Sequence, residues 1–255
     1  MPKPLEGKTV VVTGSSKTSA VLSRIEQLGG EAFFLPLIET REIIEEHDFE
    51  KLKQAFAFDW LIFTSQNAVE AFFEKIKRHR VNPARFIGKI AAVGSKTAKL
   101  LENNGFHVSF VPSIFSADVF VKEFPKVADN SPECLFLRGG KAKDTIKKGL
   151  PFRVAEWTVY DTYTKPSNIE PLTELIKVKE RPIIIFASPS AVEMFAENIA
   201  PVVGWQKPQF ASIGHITTAK LEHYGASVTY QPSRYTMLAV IEEIRLREEN
   251  NHDRT

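Results

Sequence analysis

The chain has 255 residues, 43% of them hydrophobic, with 33 Lys and Arg against 31 Asp and Glu and one cysteine. That apolar content supports packed cores and excludes a disordered chain, while a net charge of +2 in mixed sign lacks the basic face of a dedicated nucleic-acid binder. A lone cysteine excludes a disulfide framework, no apolar run reaches the ~18 residues of a membrane span, and residues 1–8 lack an apolar signal core, so a soluble, cytoplasmic protein of one large or two small domains is expected.

Taken in chain order, VVVT (10–13) reads as a buried strand running into the hydroxyl-rich turn TGSSK. The charged, amphipathic stretch 41–56 is expected to be a solvated helix. WLIF (60–63) is a short apolar run of β-formers, the pattern of a parallel strand buried on both faces. TSQN follows, with Ser65 or Asn67 placed to cap a helix whose apolar face is Ala68, Val69, Phe72, Phe73 and Ile76. KIAAVG (89–94) is a strand ended by glycine, 95–105 a helix closed by Gly105, and HVSFVPS (107–113) a further strand. DNSPE (129–133) is a loop. ECLFLRGG (133–140) reads as a buried strand in which Cys134 simply packs. IIIF (183–186) repeats the pattern of WLIF. After it Ser188 or Ser190 is placed to cap, Pro189 suits a first helical turn, and Ala191, Val192, Phe195 and Ile199 form the helix face. PQFASIG (208–214), a helix over 215–225 and the strand SVTYQPS (227–233) complete the series, with 247–255 expected as a frayed tail.

The series contains itself twice. WLIFTSQNAVEAF (60–72) and IIIFASPSAVEMF (183–195) agree at seven of thirteen positions without a gap. Residues 93–113 match 213–233 at a constant offset: Gly94 with Gly214, Thr97 with Thr217, Gly105 with Gly225, Pro112-Ser113 with Pro232-Ser233. A weaker pair joins 10–17 to 135–141. Three units in the same order indicate internal duplication. Strand and helix alternate throughout, which means an α/β fold with parallel sheets.

In such sheets ligands bind beyond the carboxyl ends of the strands, where loops meet helix N-termini. TGSS, TSQN, GSKT, SIFS, RGGK, ASPS, GHIT and SRYT are all short loops of that kind. A helix start carries unpaired N–H donors and roughly half a positive charge, so it holds anions. Loops of matching character in two related halves point to a ligand with many carboxylates or phosphates. Capping alone would also explain each hydroxyl singly. The first loop has no GKS/T ending, no G-x-G-x-x-G or G-x-S-x-G is present, and the histidines form no i, i+4 pair. The sequence signals no cofactor and no metal.

The motifs FTSQNAV, AVGSKTA, P-S-x-F-S-A-D (112–118), LRGGKAKD, VYDTY, FASPSAV and SIGHITTAKLEHYG, in this order, make the chain resemble the uroporphyrinogen-III synthase family over nearly its whole length. The resemblance implies two similar parallel-sheet α/β lobes joined by two extended strands, with the site in a cleft between the lobes. The first lobe would take 1–37 and 164–255, the second 42–158, with 38–41 and 159–163 as linkers. It implies a lyase that closes hydroxymethylbilane, a linear tetrapyrrole with eight carboxylates, while inverting the terminal ring and losing water, in haem biosynthesis and without a cofactor. Tyr160 would be the proton donor to the leaving hydroxyl, with Tyr163 competing for the role and packing alone as the other reading. Thr64, Ser65, Thr97, Arg138, Ser188, Pro189, Ser190, Gly214 and Thr217 would bind substrate, with Lys96, Lys141 and Arg234 as weaker candidates.

Two positions depart from the family pattern. Gly14 follows Thr13 where an arginine is usual, leaving Lys17 as the nearest base, and Ile216 replaces a threonine. A drifted, non-catalytic tetrapyrrole binder or regulator on the same scaffold is therefore the alternative. A transferase acting on a phosphorylated substrate would need an Asp pair or phosphate loop that is not seen. Nothing in the sequence demands a dimer, so a monomer is expected.

Overall fold

Apolar runs of four residues, too short for a helix and hydrophobic on both faces, set the architecture. In the computed structural model, which describes residues 3–14 and 19–252, they are the central strands of two sheets. In chain order the elements are β1 (Thr9–Val12), α1 (Ser19–Gln27), β2 (Glu31–Phe34), β3 (Ile38–Glu42), α2 (Asp48–Ala55), β4 (Trp60–Phe63), α3 (Gln66–Arg78), β5 (Lys89–Ala92), α4 (Ser95–Asn103), α5 (Ala117–Glu123), β6 (Cys134–Gly139), α6 (Thr145–Gly149), β7 (Val154–Thr164), α7 (Ile169–Val178), β8 (Ile183–Phe186), α8 (Pro189–Asn198), α9 (Ala200–Val203), β9 (Gln209–Ser212), α10 (His215–His223), β10 (Val228–Tyr230) and α11 (Met237–His252).

The chain divides into two compact units, Met1–Glu39 with Tyr163–Thr255, and Thr40–Thr162. The boundaries fall inside β3 and β7. The sheet of the first unit has the order β10-β9-β8-β1-β2 and the other β3-β7-β6-β4-β5. The core pairings are parallel, as the short crossovers through helices require. Side chains alternate between two apolar layers. In the first unit Val11, Ile184, Phe186 and Phe210 face one way, and Val10, Val12, Ile183 and Ile185 the other. In the second, Leu61, Phe63, Leu135 and Leu137 oppose Trp60, Ile62, Cys134 and Phe136. Cys134 is buried, and burial pushes its thiol up to about 12, the state of a packing residue.

The strand order explains the order of the repeats. β1 lies beside β8 and then β9, while β6 lies beside β4 and then β5. The first motif of one copy thus joins the second and third motifs of the other. The expected helix faces are in place: Ala68, Val69, Phe72, Phe73 and Ile76 are buried on α3, and Ala191, Val192 and Phe195 on α8.

Three local expectations are corrected. HVSFVPS (107–113) is no strand but a single bridge, Ala91 with Phe110. Ser109 and Phe110 both donate to the one carbonyl of Ile90, so the ladder stalls there, and the Phe110 ring packs on Phe120 and Phe124 at 5.5 Å. The stretch 41–56 begins as β3, and its helix starts only at Asp48. Nor is that helix merely solvated: Asp48 is fully buried and binds the equally buried Lys75 ammonium through both oxygens at 2.8 Å. Finally, 247–252 continue α11 instead of fraying; ion pairs at i, i+4 from Arg245 to Glu249 and from Glu243 to Arg247 support its last turns. The loop residues Ser15, Ser16 and Lys17, and the last three residues, lie outside the described residues.

Candidate functional site

Each unit repeats one pair of helix starts. The first of the pair is capped by a serine: Ser65 Oγ accepts from Ala68 N–H (3.2 Å) at α3, and Ser188 Oγ from Ala191 N–H (3.4 Å) at α8. The structure thus chooses Ser65 over Asn67 and Ser188 over Ser190, and Pro189 takes the first helical turn. The second of the pair is headed by a bare glycine. Gly94 at α4 and Gly214 at α10 are extended, with no side chain capping the first turn. Those turns keep N–H donors for a ligand or water. Both glycines lie beneath an aromatic 21 residues on (94 to 115, 214 to 235). A Cβ on Gly214 would sit 2.9 Å from the Tyr235 ring, and one on Gly94 3.9 Å from Phe115 Cβ. The Tyr235 hydroxyl is bonded to His215 Nδ1 at 2.9 Å.

The densest chemistry lies in the second unit, at the carboxyl ends of β4, β6 and β7. Register slips between β6 and β7: Arg138 faces Thr158, but Gly139 faces Tyr160. This bulge brings the Tyr160 ring over Gly139, where a Cβ would meet ring carbon Cζ at 2.5 Å and the hydroxyl at 2.7 Å. Gly140 likewise leaves room for the Asp161 carboxylate. The ring ends at Ser65, with the two hydroxyls 3.1 Å apart.

Tyr160 is half-buried and lines a cavity of about 440 Å³ together with Thr64, Thr162, Asp118, Lys141 and Lys143. Both lysines are exposed and make no ion pair among the described residues. Tyr160 also borders a polar notch of about 130 Å³, with Arg41, Asn67 and Glu70 on its wall. The phenol therefore stands between two wettable spaces. Tyr163 is absent from both linings and is 43% exposed.

The other expected residues are dispersed in character. Thr64, Ser188, Pro189 and Ser190 are partly exposed at their turns. Thr97 and Thr217 are 5% and 3% exposed, so they offer little surface to a ligand. Arg138, expected to meet a substrate carboxylate, does not line the cavity. It pairs with Glu156 and Asp144 and donates to the carbonyl of Ala142. Burial pushes the Glu156 carboxyl up, but bonds from Lys147 and Arg138 outweigh it and hold the group below the ordinary carboxylate value. Arg138 is thus occupied in staging the RGGK loop. Lys141, a weaker candidate from sequence, and Lys143, not named there, both line the cavity. Their spacing on either side of Ala142, directly after the glycine pair, was the available signal.

The sequence model of the family described as uroporphyrinogen-III synthase HemD matches residues 19–242. The chain is 29% identical to the uroporphyrinogen-III synthase of Synechococcus elongatus, over 92% of this chain and 93% of the relative. It is 28% identical to the chloroplastic uroporphyrinogen-III synthase of Oryza sativa, over 88% and 75%. Among solved structures it superposes on a mutant uroporphyrinogen III synthase of Thermus thermophilus at a TM-score of 0.67, with 16% identity, covering 96% of this chain and 99% of that one. It also superposes on the Helicobacter pylori uroporphyrinogen-III synthetase at 0.65, with 22% identity over 92% and 97%.

Proposed function

The chain belongs to the uroporphyrinogen-III synthase family, and on that premise we infer how this protein acts. It is a lyase of tetrapyrrole biosynthesis that needs no cofactor. Its substrate is hydroxymethylbilane, which it closes with inversion of the terminal ring and loss of water. The observation that carries the site reading is the phenol of Tyr160 on a cavity with two ammonium groups, Lys141 and Lys143, that make no ion pair among the described residues.

The substrate is a flexible octa-anion. In this reading carboxylates of the substrate are held, within the second unit, by Lys141 and Lys143, by Thr64, and by the bare first turn after Gly94. Such groups act through fixed charge and oriented dipoles, which cost no reorganisation during the reaction. Thr97 is buried on the inner side of that turn. With the arms pinned, ring closure becomes intramolecular at a chosen carbon, and orientation selects the inverted product. Tyr160 protonates the hydroxymethyl oxygen so that water leaves. A positioned phenol is one of the side chains that can serve as a general acid. The reading also has the enzyme working as a cytoplasmic monomer.

The test is incubation of purified protein with hydroxymethylbilane, followed by oxidation and separation of the uroporphyrin isomers. The type III isomer is expected to dominate. Type I alone, the product of unassisted closure, would overturn the assignment. Binding of the bilane with type I as the sole product would instead mark a tetrapyrrole-binding paralogue.

A further inference from the structure

We propose that Ser65 is a positioning residue for the reaction, acting through the Tyr160 phenol and not as a ligand for substrate. The proposal rests on the reading of Tyr160 as the proton donor. Three observations support it. Ser65 Oγ lies 3.1 Å from the Tyr160 hydroxyl. The same Oγ accepts from Ala68 N–H at 3.2 Å, as the cap of α3. The ring is seated on Gly139, where no side chain other than hydrogen fits, so the hydroxyl cannot settle lower.

A serine hydroxyl has one hydrogen and two acceptor sites. The Ala68 N–H occupies one acceptor site, and in the proposed arrangement the Ser65 hydrogen is the one that donates to the phenolic oxygen. The phenol's own hydrogen is then directed away from Ser65, toward the cavity it lines. That polarity suits an acid. When Tyr160 gives its proton to the hydroxymethyl oxygen, the carbon–oxygen bond breaks with its electron pair on oxygen. Water departs, leaving a cationic azafulvene and a phenolate. The Ser65 O–H donates to that phenolate, and hydrogen bonds to a charged acceptor are roughly twice as strong as neutral ones. Through the cap, the oxyanion also looks onto the start of a thirteen-residue helix, the favourable end for negative charge. The proton that the ring carbon releases at the end of closure returns to the phenolate, so none is consumed. The bond from Ser65 therefore strengthens as the leaving group departs, which is what accelerates a step.

The matched serine of the other unit, Ser188, caps α8 in the same way and makes no bond to a phenol among the described residues.

The test is a double-variant cycle with isomer-resolved kinetics. Ser65→Ala is expected to lower kcat about tenfold to a hundredfold while changing KM by less than about threefold, because the lost interaction is strongest in the transition state. Ser65→Thr, which keeps the hydroxyl, is expected to retain kcat within about threefold. Ser65→Asp preserves the cap acceptor but has no hydrogen to offer and sets a negative charge beside the forming phenolate, so it is expected to lose at least as much kcat as the alanine variant. In a Tyr160→Phe background, itself slowed about a hundredfold, Ser65→Ala is expected to cost nothing further. A full additional loss in that background, or an aspartate variant as fast as the parent, would overturn the proposal and leave Tyr160 as donor intact. A Tyr160→Phe enzyme as fast as the parent would overturn both.

Discussion

Gly139 is defined by what stands over it. A methyl group there would lie 2.5 Å from the Tyr160 ring, well inside any tolerated contact, so Gly139→Ala has to push the ring off its seat. We expect kcat to fall at least about tenfold, and stability to fall by about 1–3 kcal/mol as for other overpacked sites. Urea unfolding alongside the isomer assay checks both. At this scale the sequence was legible in part. It placed a tyrosine, a glycine pair and a hydroxyl loop in the right motifs. It could not show that they meet, because the meeting depends on a bulge between Arg138 and Gly139 that no local pattern announces. Arg138 misled for a related reason. A lone arginine in a loop motif looks available, and only the fold supplies Glu156 on the neighbouring strand to engage it. Thr97 and Thr217 likewise read as reachable hydroxyls, until helix phase turned them inward.

Two helices are fastened by buried polar pairs. Lys75 of α3 has no exposed surface; it binds Asp48 of α2 and the carbonyl of Ile43, and it lies 3.2 Å from Glu42. Removing Asp48 leaves the buried ammonium to Glu42 and the Ile43 carbonyl alone, so Asp48→Ala should cost about 3 kcal/mol, far more than a surface change. The combined Asp48→Leu, Lys75→Met variant should recover most of that loss; denaturant midpoints of the three proteins decide it. α11 is tied to β10 by Tyr230, which donates to Glu248 at 2.6 Å, while Lys8 holds the other oxygen of Glu248 at 2.6 Å. Burial, and then the Glu248 carboxylate, push the Tyr230 phenol well above its ordinary value of 10.0. The folded protein therefore keeps this proton where the unfolded chain has lost it. The unfolded state binds fewer protons above pH 10, so stability falls as pH rises through that region. Unfolding midpoints at successive pH values from 9 to 11 should show the decline, and Tyr230→Phe should flatten it. Neither fastening was legible beforehand. A charged stretch such as 41–56 is normally a solvated face, and its one buried aspartate differs from its neighbours only in the tertiary partner it finds.

For the molecule as a whole, most of the architecture was written in repeats. Runs of four apolar residues gave the strands, glycines and hydroxyls gave the helix ends, and the resemblance to the family, with its discontinuous first lobe, gave which motifs would share a sheet. Phe110 marks the limit. Its copy of the last strand collapses to one bridge because the ring finds an aromatic cluster, while the corresponding Tyr230 stays in a ladder. The helix starts match between the units, serine-capped α3 and α8 and glycine-headed α4 and α10; the functional account rests on those of the second unit, beside the Tyr160 phenol and the loop of Lys141 and Lys143. Backbone amide exchange, measured with and without a bilane lacking the hydroxymethyl group, tests this most directly. Such a ligand carries all eight carboxylates but cannot react. The account predicts slower exchange in the loop of Lys141 and Lys143 and in the first turn of α4. Unchanged exchange in both places while the ligand is bound would contradict it.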